Sequence, residues 1–90
     1  MAKKCFHLSI MTAEGLKVDE AAQYCRLPIS DGSIGILADH APMVCAVCKG
    51  DILCRMEDGR ERIFRVPSGI ANVRNNTLMI LTDRADEQNV

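Results

Sequence analysis

The regular spacing of turn signals is the strongest constraint on how this chain can fold. Turn-forming residues such as Asp58-Gly59 and Asn75-Asn76 recur roughly every 8–12 residues. The segments between them alternate apolar and polar residues, as residues 5–10 do, and no segment before residue 83 has a helical period. The pattern predicts an all-β chain that folds as a sandwich or a flattened barrel.

Composition limits what a chain of this fold class can do. Its 90 residues leave room for one domain and little volume for a walled pocket, which favours a binding or structural module over an enzyme. The 11 Lys and Arg residues are balanced by 12 Asp and Glu residues, so the chain has no excess of positive charge for binding nucleic acid. No apolar run is long enough to cross a bilayer, and the residues after Lys3 and Lys4 make a poor signal peptide.

Two segments carry specific expectations about burial and helix formation. The last strand, over residues 77–82, contains four consecutive apolar residues, which predicts burial on both faces. Four methionines at strand positions are predicted to fill the core: Met11, Met43, Met56 and Met79. Only the polar tail over residues 83–88 could begin a helix.

Five cysteines raise the question of a metal or a reactive thiol. Cys45 and Cys48 have CxxC spacing, and Cys54 and His40 could complete a tetrahedral zinc site. A strand over residues 42–47 would instead point Cys45 and Cys48 to opposite faces, which favours buried, small apolar side chains. A thiol nucleophile with His40 as base would still lack an orienting group and an oxyanion hole.

The order of several motifs resembles that of a known family. The chain contains Leu27-Pro28, then Gly-x-x-Gly-Ile-Leu-x-x-His-Ala-Pro over residues 32–42, and then Ser-Gly-Ile-Ala-x-Val over residues 68–73. Asn-x-Leu-x-Ile-Leu-Thr-Asp-x-Ala follows over residues 76–85. Over essentially the whole chain, this order resembles the epsilon subunit of F-type ATP synthase.

The resemblance implies a fold and a role without catalysis. It implies a ten-stranded flattened β-sandwich over residues 1–84, with residues 85–90 as a tail that starts a C-terminal helical region missing from this chain. In such a subunit the domain belongs to the central stalk and binds the gamma subunit and the c-subunit ring. It couples ion-driven rotation to ATP synthesis with no catalytic site, cofactor or metal of its own. We expect an isolated domain that is monomeric and soluble, with no nucleic-acid partner and no insertion into the membrane. In the complex it would lie at the cytoplasmic face of the bacterial plasma membrane.

The same resemblance implies which residues contact gamma or the ring. These candidates are Asp31, Ser33, Ile34, Asp39, His40, Ala41, Pro42 and Cys45. Two of the positions depart from the family pattern, because Ala38-Asp39 stands where Pro-Gly is usual and Ser33 where an acidic residue is common. Asp31 is then the nearest carboxylate for a polar contact. The resemblance also places Cys25 and Cys54 in the core, which leaves a zinc or redox module built on His40, Cys45, Cys48 and Cys54 as the alternative.

Overall fold

The computed structural model describes residues 4–89, and every regular element among them is a β-strand. Alternating side chains and turn residues at the strand ends produce these elements, as the sequence predicts. The strands are β1 (Phe6–Thr12), β2 (Gly15–Ile29), β3 (Gly32–Leu37), β4 (Met43–Val47), β5 (Gly50–Met56), β6 (Glu61–Val66), β7 (Gly69–Arg74), β8 (Thr77–Leu81) and β9 (Asp86–Gln88). The described residues therefore contain nine strands, one fewer than expected. The expected domain's residues 1–3 and the expected tail's residue 90 lie outside this range.

One long strand, β2, joins the two halves of the structure. Its first half pairs with β1, and its second half lies between β3 and β5. In the part of the chain that the structure describes, the strands follow the order β4-β7-β8-β1-β2-β5-β6-β9, with β3 attached to β2 alone. We call β4, β7, β8, β1 and the first half of β2 sheet I, and the second half of β2 with β3, β5, β6 and β9 sheet II. All neighbours are antiparallel except β1 and β8.

The core lies between the two sheets and is built from the inward positions of each strand. In β1, Phe6, Leu8 and Ile10 are buried, and β5 and β6 contribute Ile52, Cys54 and Phe64. Cys25 and Cys54 are completely buried, which confirms the sequence interpretation of both as core residues. Every buried side-chain nitrogen or oxygen within residues 4–89 has a hydrogen-bond partner. The interior is thus an apolar core in which no buried polar side-chain atom of the described residues lacks a hydrogen-bond partner.

One expectation about burial is wrong, and another holds for only half of its residues. In β8, Leu78 and Ile80 are buried but Met79 and Leu81 are exposed, so this apolar strand is covered on one face only. Of the four methionines, Met56 is buried and Met43 packs partly against the core, whereas Met11 and Met79 are exposed. An apolar strand has the same sequence pattern whether its second face packs against the same chain or against another surface, so the pattern does not predict which of the two covers it.

The expectation that the tail begins a helix is also wrong. Residues 86–88 form β9, which pairs with β6, and Ala85 just before it is buried in the core. An ion pair between strands fixes this position: Arg62 of β6 donates two hydrogen bonds to the Glu87 carboxylate at 2.8 Å each. Arg62 also contacts Glu20 of β2 at 2.9 Å and lies over the Phe64 ring. Residues 85–88 are therefore part of the sandwich.

The ion pair of Arg62 and Glu87 predicts a pH dependence of stability. Arg62 holds the pKa of Glu87 below its ordinary value of 4.5. A lowered folded-state pKa stabilises the protein above the ordinary pKa, and this contribution is lost as the pH falls through the folded-state value. Glu87 is well exposed, so we expect Glu87→Gln to lower the free energy of unfolding by no more than about 1 kcal/mol at pH 7.

That difference should shrink toward zero as the pH falls below 4.5. Urea melts of both proteins at a series of pH values would measure it, with Glu57→Gln, at an exposed turn, as the control. A difference that stays constant from pH 7 to pH 3 would show that Glu87 acts by packing and not by charge.

The burial of Cys54 gives a second prediction. Cys54 is inaccessible to solvent and Cys48 is only half-buried beyond the end of β4. Cys54→Asp would place a carboxylate in the apolar core, so we expect it to lower the free energy of unfolding by several kcal/mol. Cys48→Asp should cost far less in thermal melts. Equal losses in the two variants would contradict this assignment of strand faces.

Candidate interface

A tight bend over residues 38–42 links the two sheets at one end of the sandwich. Asp39 has a φ of 63°, in the left-handed region, and its backbone N–H donates to the Asn76 side-chain oxygen at 2.8 Å. The Asn76 side-chain nitrogen donates in turn to the Cys5 carbonyl at 3.0 Å. His40 lies next in the bend, with its Nδ1 2.8 Å from the Ala41 carbonyl oxygen. One side-chain amide thus ties the bend to β1 and to the turn between β7 and β8.

The strand that leads into this bend is an edge strand. Within residues 4–89, β3 pairs with β2 alone, so no other described strand covers its second edge. Gly35 in β3 lies directly against Tyr24, because a Cβ at that position would approach the Tyr24 ring to 3.0 Å. β4 is the edge of sheet I, and just after its end the Cys48 N–H donates to the Pro28 carbonyl of β2 at 2.9 Å. We call residues 31–47, from the turn before β3 through the bend to the end of β4, the edge side.

All eight predicted contact residues lie along the edge side, but they do not converge on one point. Asp31 and Ser33 are exposed at the start of β3, whereas the bend with Asp39 and His40 follows its far end. Six residues of extended chain separate these ends, roughly 20 Å. Ile34 and Cys45 point inward and pack partly against the core, and burial raises the pKa of the Cys45 thiol. The outward residues of the group are therefore Asp31, Ser33, Asp39, Ala41 and Pro42, with His40 half-buried.

The zinc alternative fails on geometry. Cys54 is buried in the core opposite Cys25, while His40 lies in the bend and Cys45 faces inward from β4. Within residues 4–89, no group of three or more His, Cys, Asp or Glu side chains is arranged to hold a metal ion. The CxxC spacing here reflects a strand and the turn after it.

The outer face of sheet I carries a surface that the sequence analysis missed. Backbone pairing aligns five exposed apolar residues across five strands: Ala46 opposite Ile70, Ile70 opposite Leu81, Leu81 opposite Met11, and Met11 opposite Leu16. Neighbouring strands lie about 4.8 Å apart, so this row extends roughly 19 Å. Val44, 70% exposed, and Met79 lie on the same face beside it. We call these seven residues the apolar face.

The outer face of sheet II is different in character. Charged side chains pair across it, with Arg65 donating to Asp51 at 3.0 Å and Arg55 contacting Glu61 at 3.4 Å. Exposed pairs of this kind contribute little stability but keep a surface hydrated. Sheet II therefore presents a hydrated outer face, whereas the outer face of sheet I carries the His7–Asp19 pair and also an apolar area suited to contact with another apolar surface. No helix among the described residues is long and apolar enough to span a membrane.

These features define a class: a small β-sandwich with one apolar sheet face and one open edge. The sequence profile of the ATP synthase Delta/Epsilon chain, beta-sandwich domain, matches residues 5–88. The chain belongs to this family, as the order of its motifs predicts.

Relatives at the sequence level agree with the family match. The chain is 30% identical over 79 residues to the ATP synthase epsilon chain of Delftia acidovorans, and 33% identical over 79 residues to that of Alkalilimnicola ehrlichii. These alignments include 88% of this chain but 57% and 56% of the relatives. The chain thus spans little more than half the length of these curated relatives.

Solved structures confirm the fold at lower sequence identity. A chain of the Euglena gracilis mitochondrial ATP synthase (OSCP/F1/c-ring) superposes with a TM-score of 0.87 at 19% identity, over 97% of this chain and 56% of that one. A chain of the Tetrahymena thermophila mitochondrial ATP synthase (central stalk/c-ring) gives 0.78 at 14% identity, over 94% of this chain and 68% of that one. The β-sandwich is therefore the fold, as the sequence predicts.

The left-handed residue in the bend gives a prediction for stability. Asp tolerates a φ of 63° better than most residues, and Gly adopts it without steric cost. We expect Asp39→Ala to lower the free energy of unfolding by about 1 kcal/mol and Asp39→Gly to leave it unchanged or slightly raised. Asp31→Ala, which removes an exposed carboxylate elsewhere on the edge side, is the control in urea melts. Equal losses from Asp39→Ala and Asp39→Gly would show that the Asp39 side chain matters more than the backbone angle.

Proposed function

We propose that this chain is the β-sandwich of a central-stalk subunit of an F-type ATP synthase, where it binds the gamma subunit and the c-subunit ring. In this role the domain rotates with its partners and transmits torque, and it catalyses no reaction itself. It would lie at the cytoplasmic face of the bacterial plasma membrane as part of a peripheral complex. Family membership supports the assembly, and the surface of sheet I supports attachment to another protein.

The apolar face is the observation that carries this proposal. Seven apolar side chains on one sheet face are exposed in the isolated chain, whereas the charged pairs Arg65–Asp51 and Arg55–Glu61 lie across the outer face of sheet II. Burial of apolar surface contributes roughly 25 cal/mol per Å², so covering such a face favours association. The gamma subunit is the occupant that the family membership favours.

The pattern of β8 supports the same assignment. Its four consecutive apolar residues match a strand buried on both faces, yet the chain itself covers only Leu78 and Ile80. A partner on the outer face would bury Met79 and Leu81 as well. The strand then has the environment that its sequence predicts, but only within a complex.

The edge side fits a polar contact with the c ring. Asp31 and Asp39 place two exposed carboxylates near the two ends of β3, and the Asn76 side chain accepts a hydrogen bond from the bend. Asp31 supplies the negative charge that Ser33 lacks. The candidates for this contact remain Asp31, Ser33, Ile34, Asp39, His40, Ala41, Pro42 and Cys45.

Capture by the cognate gamma subunit tests the proposal. The wild-type chain should form a one-to-one complex that survives size-exclusion chromatography. Ile70→Glu or Leu81→Glu would bury an unpaired carboxylate in that contact, so each should weaken binding at least about tenfold. Both side chains are exposed in the free chain, so thermal melts of the free variants should match the wild type.

Arg26→Glu is the matched control, because it introduces the same carboxylate at an exposed position of sheet II. It should leave capture by gamma unchanged. Failure of folded wild-type chain to bind gamma would reject the proposed function. If Ile70→Glu and Leu81→Glu both leave binding unchanged, gamma remains the partner but the apolar face is rejected as its binding site.

A further inference from the structure

Two cysteines in the core face each other across neighbouring strands. Cys25 of β2 and Cys54 of β5 are direct partners in the antiparallel register, and neither is accessible to solvent. Directly opposed residues in an antiparallel pair have Cα atoms about 4.5–5.5 Å apart, within the roughly 4.4–6.8 Å that a disulfide requires. The Cys54 side chain is also close enough to raise the pKa of the Cys25 thiol. The backbone therefore already holds the pair within reach of a covalent bond.

We propose that Cys25 and Cys54 are a modification site, which forms a cross-strand disulfide by exchange with a low-molecular-weight disulfide. One cysteine, as thiolate, attacks a sulfur of the small disulfide and releases one small thiol, which leaves a mixed disulfide on the protein. The second cysteine attacks the protein sulfur of that mixed disulfide and releases the second small thiol. Two protein thiols are oxidised and one small disulfide is reduced to two thiols, so atoms and electrons balance.

The position of the pair determines when this reaction occurs. The hydrogen bond to Cys54 and burial raise the pKa of the Cys25 thiol well above its ordinary value. The closed sandwich thus contains almost no thiolate at this site and gives a small disulfide no access to it. Exchange must proceed from a state in which β5 separates from β2. The bond then forms as the strands pair again, and it fixes sheet II across the strand that joins both sheets.

The other three cysteines differ from this pair in their burial and in the residues that lie opposite them. Cys5, Cys45 and Cys48 are half-buried, and the structure brings none of them into register with another cysteine. Their exchange would give mixed disulfides with the small molecule. The register of β2 and β5 distinguishes the core pair from them, and the inference does not depend on the proposed role in a central stalk.

The test uses the full chain with Cys5→Ser, Cys45→Ser and Cys48→Ser, so that only the core pair remains. Incubated with oxidised glutathione, this protein should lose the mass of two hydrogen atoms, with no glutathione attached, and regain it with dithiothreitol. Moderate urea should speed the loss because it populates the open state. The oxidised form should melt at least about 5 °C higher, because the bond restricts the unfolded chain.

The control adds Cys54→Val to the same background, which leaves Cys25 without its partner. It should accept glutathione in urea and stop at the mixed disulfide, and its melting temperature should not rise. The rate at which the control's Cys25 is alkylated measures how often the strands open. Alkylation of Cys25 in the control would show that the open state is reached. If the protein with both cysteines then keeps two free thiols, or stops at the mixed disulfide, the proposed site is rejected.

Discussion

The fold depends on the sharing of β2 between two sheets. The 15 residues of this strand pair with β1 in their first half and with β3 and β5 in their second half. Between Ala22 and Tyr24 the register with β5 shifts, which marks the point where the strand passes from one sheet to the other. The apolar face includes Leu16 of β2 and continues through β1, and the edge side is attached to β2 through β3. β2 is therefore the one described strand that belongs to both sheets, although connections such as the bend over residues 38–42 also link them.

Local pattern was enough to predict most of the strands and much of the core. Alternation of apolar and polar residues depends only on neighbours along the chain, so it indicated β1, β5 and the hairpin at Asp58-Gly59 correctly. β9 could not be found in this way, because three polar residues in a tail have no strand signature. Its place is set by Ala85 in the core and by the contact of Glu87 with Arg62, 25 residues earlier in the chain. Only the folded structure brings these residues together.

The candidate surfaces show a sharper limit of sequence reasoning. Resemblance to a family led to the edge side, and the structure places all eight of those residues there, though at separated points. The apolar face was missed, although its signal was present in Met79 and Leu81 of β8. Amphipathic alternation identifies a face exposed to water, but a strand that is apolar on both faces does not reveal what covers the second one. The observed exposure of these side chains is what turns the pattern into evidence for a partner.

The two surfaces share only β4, which bears on how the domain could transmit load. The apolar face is the outside of sheet I and includes Val44 and Ala46 of β4, whereas Asp31, β3 and the bend lie outside it. One partner can cover the face without contacting the outward carboxylates of Asp31 and Asp39. Under the proposed role, the domain would thus hold two partners at once, and β2 would link them. A sandwich resists shear between its sheets because its core is interlocked, so the closely packed interior around Leu8, Ile52 and Phe64 would make that link stiff.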